Sequence, residues 1–555
     1  MRERHNKRPA SGNSGFLLPI ALVYPNTRKV GLSNLGFQFL FNQLQGSDFF
    51  APERFFIADQ FFKNPSDTIT PLSEENNVPL KHFPVIAFSI PFENDYWIVP
   101  KILIDSGIKP LRLDRGSGDP LILAGGVSVS LNPETLADFL DLVFIGEIVG
   151  DINEPGGFWA IMREFKKSKT AAHDRKEFYK SFSNVDGVYV PEAYRFDFRD
   201  NGVLSEIRPD QGFPARVKAA KRLSSKESPP FAVVHDLQTQ FRDSCLVEIN
   251  RGCGRGCRFC SGGWIHRPVR HFKYPRFRES IDQAITDKRT IGLIGSDLAS
   301  HPELDIILED IINKGGIFSL SSIRPEGLND QTIELIVKSG QKTATLAPEV
   351  ASNRLKKVIG KQIPNERFFE LIDKLVTAGI PNIRFYFMIG LPTEVEEDVL
   401  TIVPFVKNAR EIFMNASRSK GRIGRIGVQV NAFVPKPWTP FQWAQALPRK
   451  QWEIRVKIIE NGLRALNNVV VRHESVRSSE VQAILSRADR RISHSLLEGA
   501  RRGKLSASSF LGSHPSASFF SERLRDREEV FPWDVVDHGI KKATLRTIYD
   551  RAILA

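Results

Sequence analysis

Two series of short apolar runs, each run followed by a segment with helical spacing, leave few folds open to this chain. The first series reads "FLLPIALVYP", "LSNLGFQFLFNQLQ", "RFFIA", "VIAFSI", "DYWIVPKILIDSG", "LILAGG", "PETLADFL" and "LVFIGE". Continuous apolar runs suit strands buried on both faces, and amphipathic segments between them suit the covering helices. The pattern predicts an α/β fold with a doubly wound, Rossmann-like parallel sheet. Such sheets take ligands at the carboxyl ends of their strands. At one of those ends "LILAGGVSVSLNP" turns at Gly125 and Gly126. Paired glycines either bring backbone close to a ligand or simply make a tight turn.

The second series starts at Cys245. Its strand candidates are "CLVEIN", "TIGLIG", "IFSLSSI", "TATLAP", "NIRFYFMIG" and "RIGVQVNAFV", alternating with helix candidates such as "RFRESIDQAITDK" and "NERFFELIDKLVTAG". Six strand–helix units are too few for an eight-stranded barrel and predict a partial (β/α)6 barrel, with its chemistry on the loops after the strands. A chain of 555 residues exceeds one core. The expected division is a Rossmann-like domain over 1–195, a hairpin and linker over 196–240, the partial barrel over 241–445, and a mainly helical extension over 446–555. The hairpin turns at Asn201-Gly202, and the linker "KAAKRLSSKESPPF" is polar, basic and ends in Pro-Pro.

Composition narrows the class. Hydrophobic residues at 41% and charged residues at 25% describe a globular protein, and no apolar run is long enough to span a bilayer. The basic start and apolar run at the N-terminus lack a cleavage site and read as a first strand. Four cysteines do not make a disulfide scaffold and point to a reducing, cytoplasmic setting. A net charge of +13, spread along the chain, leaves RNA open as a partner.

Three of the cysteines, Cys253, Cys257 and Cys260, lie in "NRGCGRGCRFCSGGW", directly after the first barrel strand. Thiolates spaced C-x3-C-x2-C suit an iron–sulfur cluster or a soft metal. A four-iron cluster held by three thiolates leaves one iron open. Zinc is the rival, with His266 completing a Cys3His set, although structural zinc sites usually draw on two separated ligand pairs. Cys245 opens the preceding strand and reads as a core residue.

This loop resembles the signature of the radical S-adenosylmethionine superfamily, C-x3-C-x-aromatic-C, with Phe259 in the aromatic place. The resemblance implies a 4Fe–4S cluster on Cys253, Cys257 and Cys260, and S-adenosylmethionine chelating the open iron. It implies reductive cleavage to methionine and a deoxyadenosyl radical, with electrons from a donor such as flavodoxin or ferredoxin. It further implies cosubstrate contacts from Gly295, Ser296 and Asp297 in "IGSDLASHPE", Arg324 in "SSIRPEGL", Glu349 in "TLAPEVASNRLKK" and Gly390 in "YFMIGLPTEVEED". The family often has Gly-Gly-Glu where Gly295, Ser296 and Asp297 stand.

The whole layout resembles the branch with an N-terminal cobalamin-binding-type domain. The Asp-x-His-x-x-Gly motif whose histidine ligates cobalt is absent from 1–240, and His82 in "LKHFP" lacks that context. What the branch implies is therefore cobalamin bound base-off without a protein histidine, or a domain that keeps only the fold. The reaction expected is a methyl or sulfur transfer or a rearrangement on an unidentified substrate. The alternative from another class is a basic RNA-binding protein with a structural metal loop. "FVPKPWTPFQW" reads as a cavity wall or a packing lid, and "VQAILSRADRRISHSLLEGARRGK" as a phosphate-contacting or solvated helical face. Asp537 and His538 form a weak further candidate.

Overall fold

The computed structural model describes residues 17–554, apart from 65–66, 69, 149–156, 169–174, 222–228, 235–243, 322–323, 419–420, 422 and 511–514. Half of the "KAAKRLSSKESPPF" linker therefore lies outside the described residues.

The N-terminal sheet is built from β1 (Leu18–Thr27), β2 (Phe50–Ile57), β3 (Val85–Ser89), β4 (Leu121–Gly125), β5 (Leu142–Phe144) and β6 (Val188–Tyr189), in the order β2-β1-β3-β4-β5-β6. The first five are parallel and β6 is antiparallel to β5. The order 2-1-3-4-5 is a doubly wound arrangement whose ligand crevice opens at the β1/β3 switch point. Local signals set the first turns of helix. Thr27 accepts a hydrogen bond from the Val30 amide, and Asn34 caps Leu35–Gln45 by accepting from Phe37. The Asn201-Gly202 turn joins Tyr194–Phe198 to the antiparallel Leu204–Pro209, with Gly202 at φ +80°.

The barrel strands are β7 (Ser244–Arg251), β8 (Thr290–Gly295), β9 (Ile317–Leu320), β10 (Thr343–Glu349), β11 (Asn382–Ile389) and β12 (Arg425–Ala432), one for each of the six apolar runs. They form two parallel blades, β7-β8-β9 and β10-β11-β12. A further parallel strand, β13 (Val469–His473), extends the second blade, and Phe231–Val234 pairs antiparallel with β7. On one face the strands bury Val247, Ile249, Phe385, Phe387, Val428 and Val430 against helices such as Asn365–Ala378 and Ile402–Arg418. The opposite, inner face is more polar.

The C-terminal extension is mainly helical and shares the core of the N-terminal domain. Trp438, Phe441 and Trp443 are fully buried there, so "FVPKPWTPFQW" is a packing element. The arginine-rich helix corrects the sequence reading. Arg487 has no exposure and donates to the Ala444 and Ser521 carbonyls, while Arg490 forks onto Glu134 at 2.8 Å. Asn132 and Thr135 bond the Ala488 and Leu485 carbonyls. These arginines satisfy backbone and buried carboxylates, a use invisible in the linear charge pattern. Among the described residues no helix is long and apolar enough to cross a membrane.

Candidate cluster and cofactor site

The cysteine loop leaves β7 through Gly252, at φ +82°, where a Cβ would lie 2.4 Å from the His266 carbonyl oxygen. Only glycine fits that turn. Four hydrogen bonds help to hold the loop. The Arg258 amide donates to the Ile359 carbonyl at 2.9 Å, its guanidinium donates to the Lys357 and Val358 carbonyls at 2.8 Å, and Trp264 Nε1 donates to the Cys257 carbonyl at 2.9 Å. Cys253, Cys257 and Cys260 are free thiols, half-buried and close enough to influence one another electrostatically.

Burial pushes the Cys257 and Cys260 thiols up. The charges of Lys361 and Arg324 pull Cys257 back, and a hydrogen bond from the Gly263 amide pulls Cys260. Thiols held this way become thiolates when a cationic core supplies the compensating charge, which is the chemistry of an iron–sulfur donor set. Cys245 faces the helical core and is pushed up to about 11 by burial. His266 turns to Glu147, with Nδ1 3.2 Å from Oε1. Among the described residues no three His, Cys, Asp or Glu side chains converge on a single-ion site. His266, the rival zinc ligand, is thus engaged by Glu147.

The loop after β8 packs against the cysteine loop. Asn250, the penultimate residue of β7, has no exposure and donates its amide to the Asp297 carbonyl. Gly295 makes room for it, because a Cβ there would lie 1.9 Å from Asn250 Oδ1. Asp297 is buried. Its Oδ2 accepts from Arg255 Nε at 2.9 Å, and its Oδ1 has no partner. Arg324 pairs with Glu326, its Nε 3.5 Å from Oε2, and sits close enough to feel both Cys257 and Asp297. Glu349, at the end of β10, has φ +65°, a strained value for a non-glycine residue. It accepts from Lys361 Nζ at 3.0 Å and lies near Cys257 and Cys260.

Cys253, Cys257, Cys260, Asp297, Arg324 and Glu349 thus gather at the carboxyl ends of the barrel strands. Ser296 is exposed beside them. Phe259 is half-buried against the core shared by the N-terminal domain and extension. Gly390 turns at φ +89°, where a Cβ would press on Leu447 at 3.0 Å, and its amide donates to Glu394. Asn250, Arg255 and Lys361 had no sequence signal beyond proximity to the cysteine motif, and Lys361 lacked even that.

Between these loops and the Rossmann sheet lies a cavity of about 500 Å³. Its N-terminal wall is the crevice expected of the strand order: Ser33–Gly36 after β1, Ser89 and Pro91 after β3, Gly125 and Gly126 after β4, and Gly146 and Glu147 after β5. Gly126 and Gly146 have φ +117° and +119°, and a Cβ on either would collide with backbone, of Ile90 and of Ala220. The barrel side supplies Glu248, Arg251, His266, Ile294 and Ser296. Glu147 ties the two sides. Arg270 forks onto it at 2.7 and 2.9 Å, and Arg251 stands at 3.3 Å. These partners hold its carboxyl well below the usual range against the opposing effect of burial. His538 also reaches the cavity, but it bonds the Ser130 carbonyl at 2.9 Å and packs on Trp438. His82 lies exposed in the short turn Leu80–His82.

Two family profiles match the chain. Residues 36–191 match the N-terminal region of radical SAM proteins, and residues 247–406 match the radical SAM superfamily. An uncharacterised protein of Methanocaldococcus jannaschii is 27% identical over 478 residues, covering 85% of this chain and 89% of that one. A tRNA-2-methylthio-N(6)-dimethylallyladenosine synthase of Thermotoga petrophila is 26% identical over 196 residues, covering 32% of this chain and 44% of that protein. The fold is similar to that of the Kitasatospora setae radical S-adenosylmethionine methyltransferase solved with cobalamin and a 4Fe–4S cluster bound, with a TM-score of 0.50 at 13% identity over 78% of this chain and 80% of that one. The chain belongs to the radical S-adenosylmethionine superfamily, with a Rossmann-like domain ahead of its barrel.

Proposed function

We propose that this radical S-adenosylmethionine enzyme cleaves its cosubstrate at a 4Fe–4S cluster on Cys253, Cys257 and Cys260 and modifies a substrate in the chamber between its two α/β domains, with cobalamin-dependent methyl transfer as the reaction. The observation that carries this reading is the gathering of Asp297, Arg324 and Glu349 around the three-cysteine loop, next to Ser296, which lines the 500 Å³ cavity. When bound, the cluster supplies the single electron that breaks the sulfonium carbon–sulfur bond. The residues do the rest. Asp297 Oδ1, buried without a partner, is an acceptor for the methionine ammonium. Arg324 is a donor for the methionine carboxylate. Glu349, held by Lys361, accepts from the ammonium or the ribose. The apolar chamber walls keep water from the radical.

Cobalamin fits the Rossmann side of that chamber. Gly125, Gly126 and Gly146 line that side, and the two histidines on the cavity wall, His266 and His538, are held by Glu147 and by the Ser130 carbonyl. The cofactor would accordingly bind base-off without a protein histidine. An electron donor such as flavodoxin or ferredoxin completes the cycle.

Anaerobic purification tests the reading. The protein should carry the broad visible absorbance of an iron–sulfur cluster and slowly convert S-adenosylmethionine to deoxyadenosine when reduced. Cys257→Ala should abolish both, and full cleavage by that variant would refute the cluster assignment. Hydroxocobalamin, added and then passed through gel filtration, should be retained with a base-off spectrum. No retention well above micromolar concentrations would eliminate the cobalamin-dependent reaction.

A further inference from the structure

On β11, Ile383, Phe385 and Phe387 enter the helical core, so Arg384 and Tyr386 face the inside of the barrel. Register carries the same alternation across the blade. Asn382 pairs with Arg425 and Arg384 with Gly427 on β12, and Gln429 pairs with Arg472 on β13. Arg384, Arg425 and Arg472 thus share the inner face and line one recess of about 320 Å³ with Tyr386 and Gln429.

Parallel barrels normally fill this face with packed apolar side chains. Here three cations stand together, all exposed. Strand spacing and rise put the Cα atoms of Arg384 and Arg425 about 8 Å apart, and those of Arg384 and Arg472 about 12 Å apart. No carboxylate lines the recess, and among the described residues none of the three makes an ion pair. Gly427 keeps the floor open beneath Arg384, whose Cγ would lie 3.7 Å from a Cβ there. Three guanidinium forks around a small open recess are complementary to phosphate.

We infer that this recess binds the phosphate end of a small phosphorylated substrate. Its size suits a small molecule. The position suits the chemistry, on the reading that the barrel encloses the reaction. Glu349 pairs with Phe387, three residues along β11 from Arg384, or roughly 10 Å by strand rise. A molecule anchored by its phosphate at the arginines can therefore extend along the inner face to the cysteine end.

Calorimetry with adenosine monophosphate and with inorganic pyrophosphate, on the cluster-loaded protein at low salt, tests this. Both probes should bind saturably and weaken as salt rises. Arg384→Gln and Arg472→Gln should each weaken binding roughly tenfold. Gly427→Val, which fills the recess and keeps every charge, should weaken it too, and it decides the matter if an arginine variant misfolds. Arg502→Gln, exposed elsewhere, should change nothing. Cys257→Ala should lose the cluster absorbance and keep phosphate binding, so failure of the anion site and failure of the radical reading are read separately. Absent saturable binding by cluster-loaded protein, or unchanged binding in the arginine and Gly427 variants, would overturn the inference. A short single-stranded RNA binding a hundredfold tighter than adenosine monophosphate would overturn the small-molecule assignment.

Discussion

Gly295→Ala should damage cosubstrate binding through Asn250. The added Cβ would stand 1.9 Å from Asn250 Oδ1 and 2.7 Å from Leu298 Cδ2. Ordinary contact begins near 3.4 Å, so the Asn250 side chain must give by about 1.5 Å. It has no exposure and no route to solvent. Its amide must leave the Asp297 carbonyl, and Asp297 then keeps Arg255 and Ser300 Oγ as side-chain tethers. A lost buried hydrogen bond costs about 1–3 kcal/mol. Overpacking adds about 1–3 kcal/mol. The sum, about 2–6 kcal/mol, falls on the two loops that flank the cysteines. Two measurements check it. The thermal midpoint should drop by several degrees, and S-adenosylmethionine affinity, by anaerobic calorimetry, should fall at least about tenfold. Because the clash is with one side chain, Asn250→Ala should make Gly295→Ala much milder. Equal effects of Gly295→Ala in the two backgrounds, or a neutral single variant, would refute the steric account.

Asp297→Ala should weaken cosubstrate binding about tenfold or more while the cluster absorbance stays intact, since the Asp297 side chain is tied to the cysteine loop through Arg255 and to none of the cysteines by a hydrogen bond among the described residues; unchanged affinity would remove it from the site. Glu349→Gln should lower the rate of deoxyadenosine formation without bleaching the cluster, read by absorbance and product chromatography. His538, which burial pulls down to about 3, stays neutral in the fold and takes up a proton when unfolded below its ordinary pKa of 6.5. Its stabilising effect is therefore complete above pH 6.5 and declines as pH falls toward 3. The melting temperature of His538→Gln should depend less steeply on pH over that window; an identical slope would refute the assignment.

The chain's local code settled a good deal. Continuous apolar runs with helical segments between them can only be buried as parallel strands under helices, so both α/β units and all six barrel strands were legible, as was the Asn201-Gly202 hairpin. The cysteine spacing with Phe259 pointed to the superfamily, because ligands on one short loop are local by construction. β13 escaped notice because five half-exposed residues, Val469–His473, acquire strand geometry only by pairing with β12. The arginines of "SRADRRISH" read as a surface because charge is normally solvated. Their carbonyl and Glu134 partners come from residues far away in sequence. Asn250 with Gly295 and Glu147 with Arg270 were likewise beyond any linear pattern, since each pair joins separate strand ends or domains. Sequence by itself determined which elements form and which atoms can ligate, both set by short-range periodicity and residue chemistry. Tertiary structure alone decided which loops meet, where the chamber lies and which charges stay unpaired, because those depend on contacts between residues far apart along the chain.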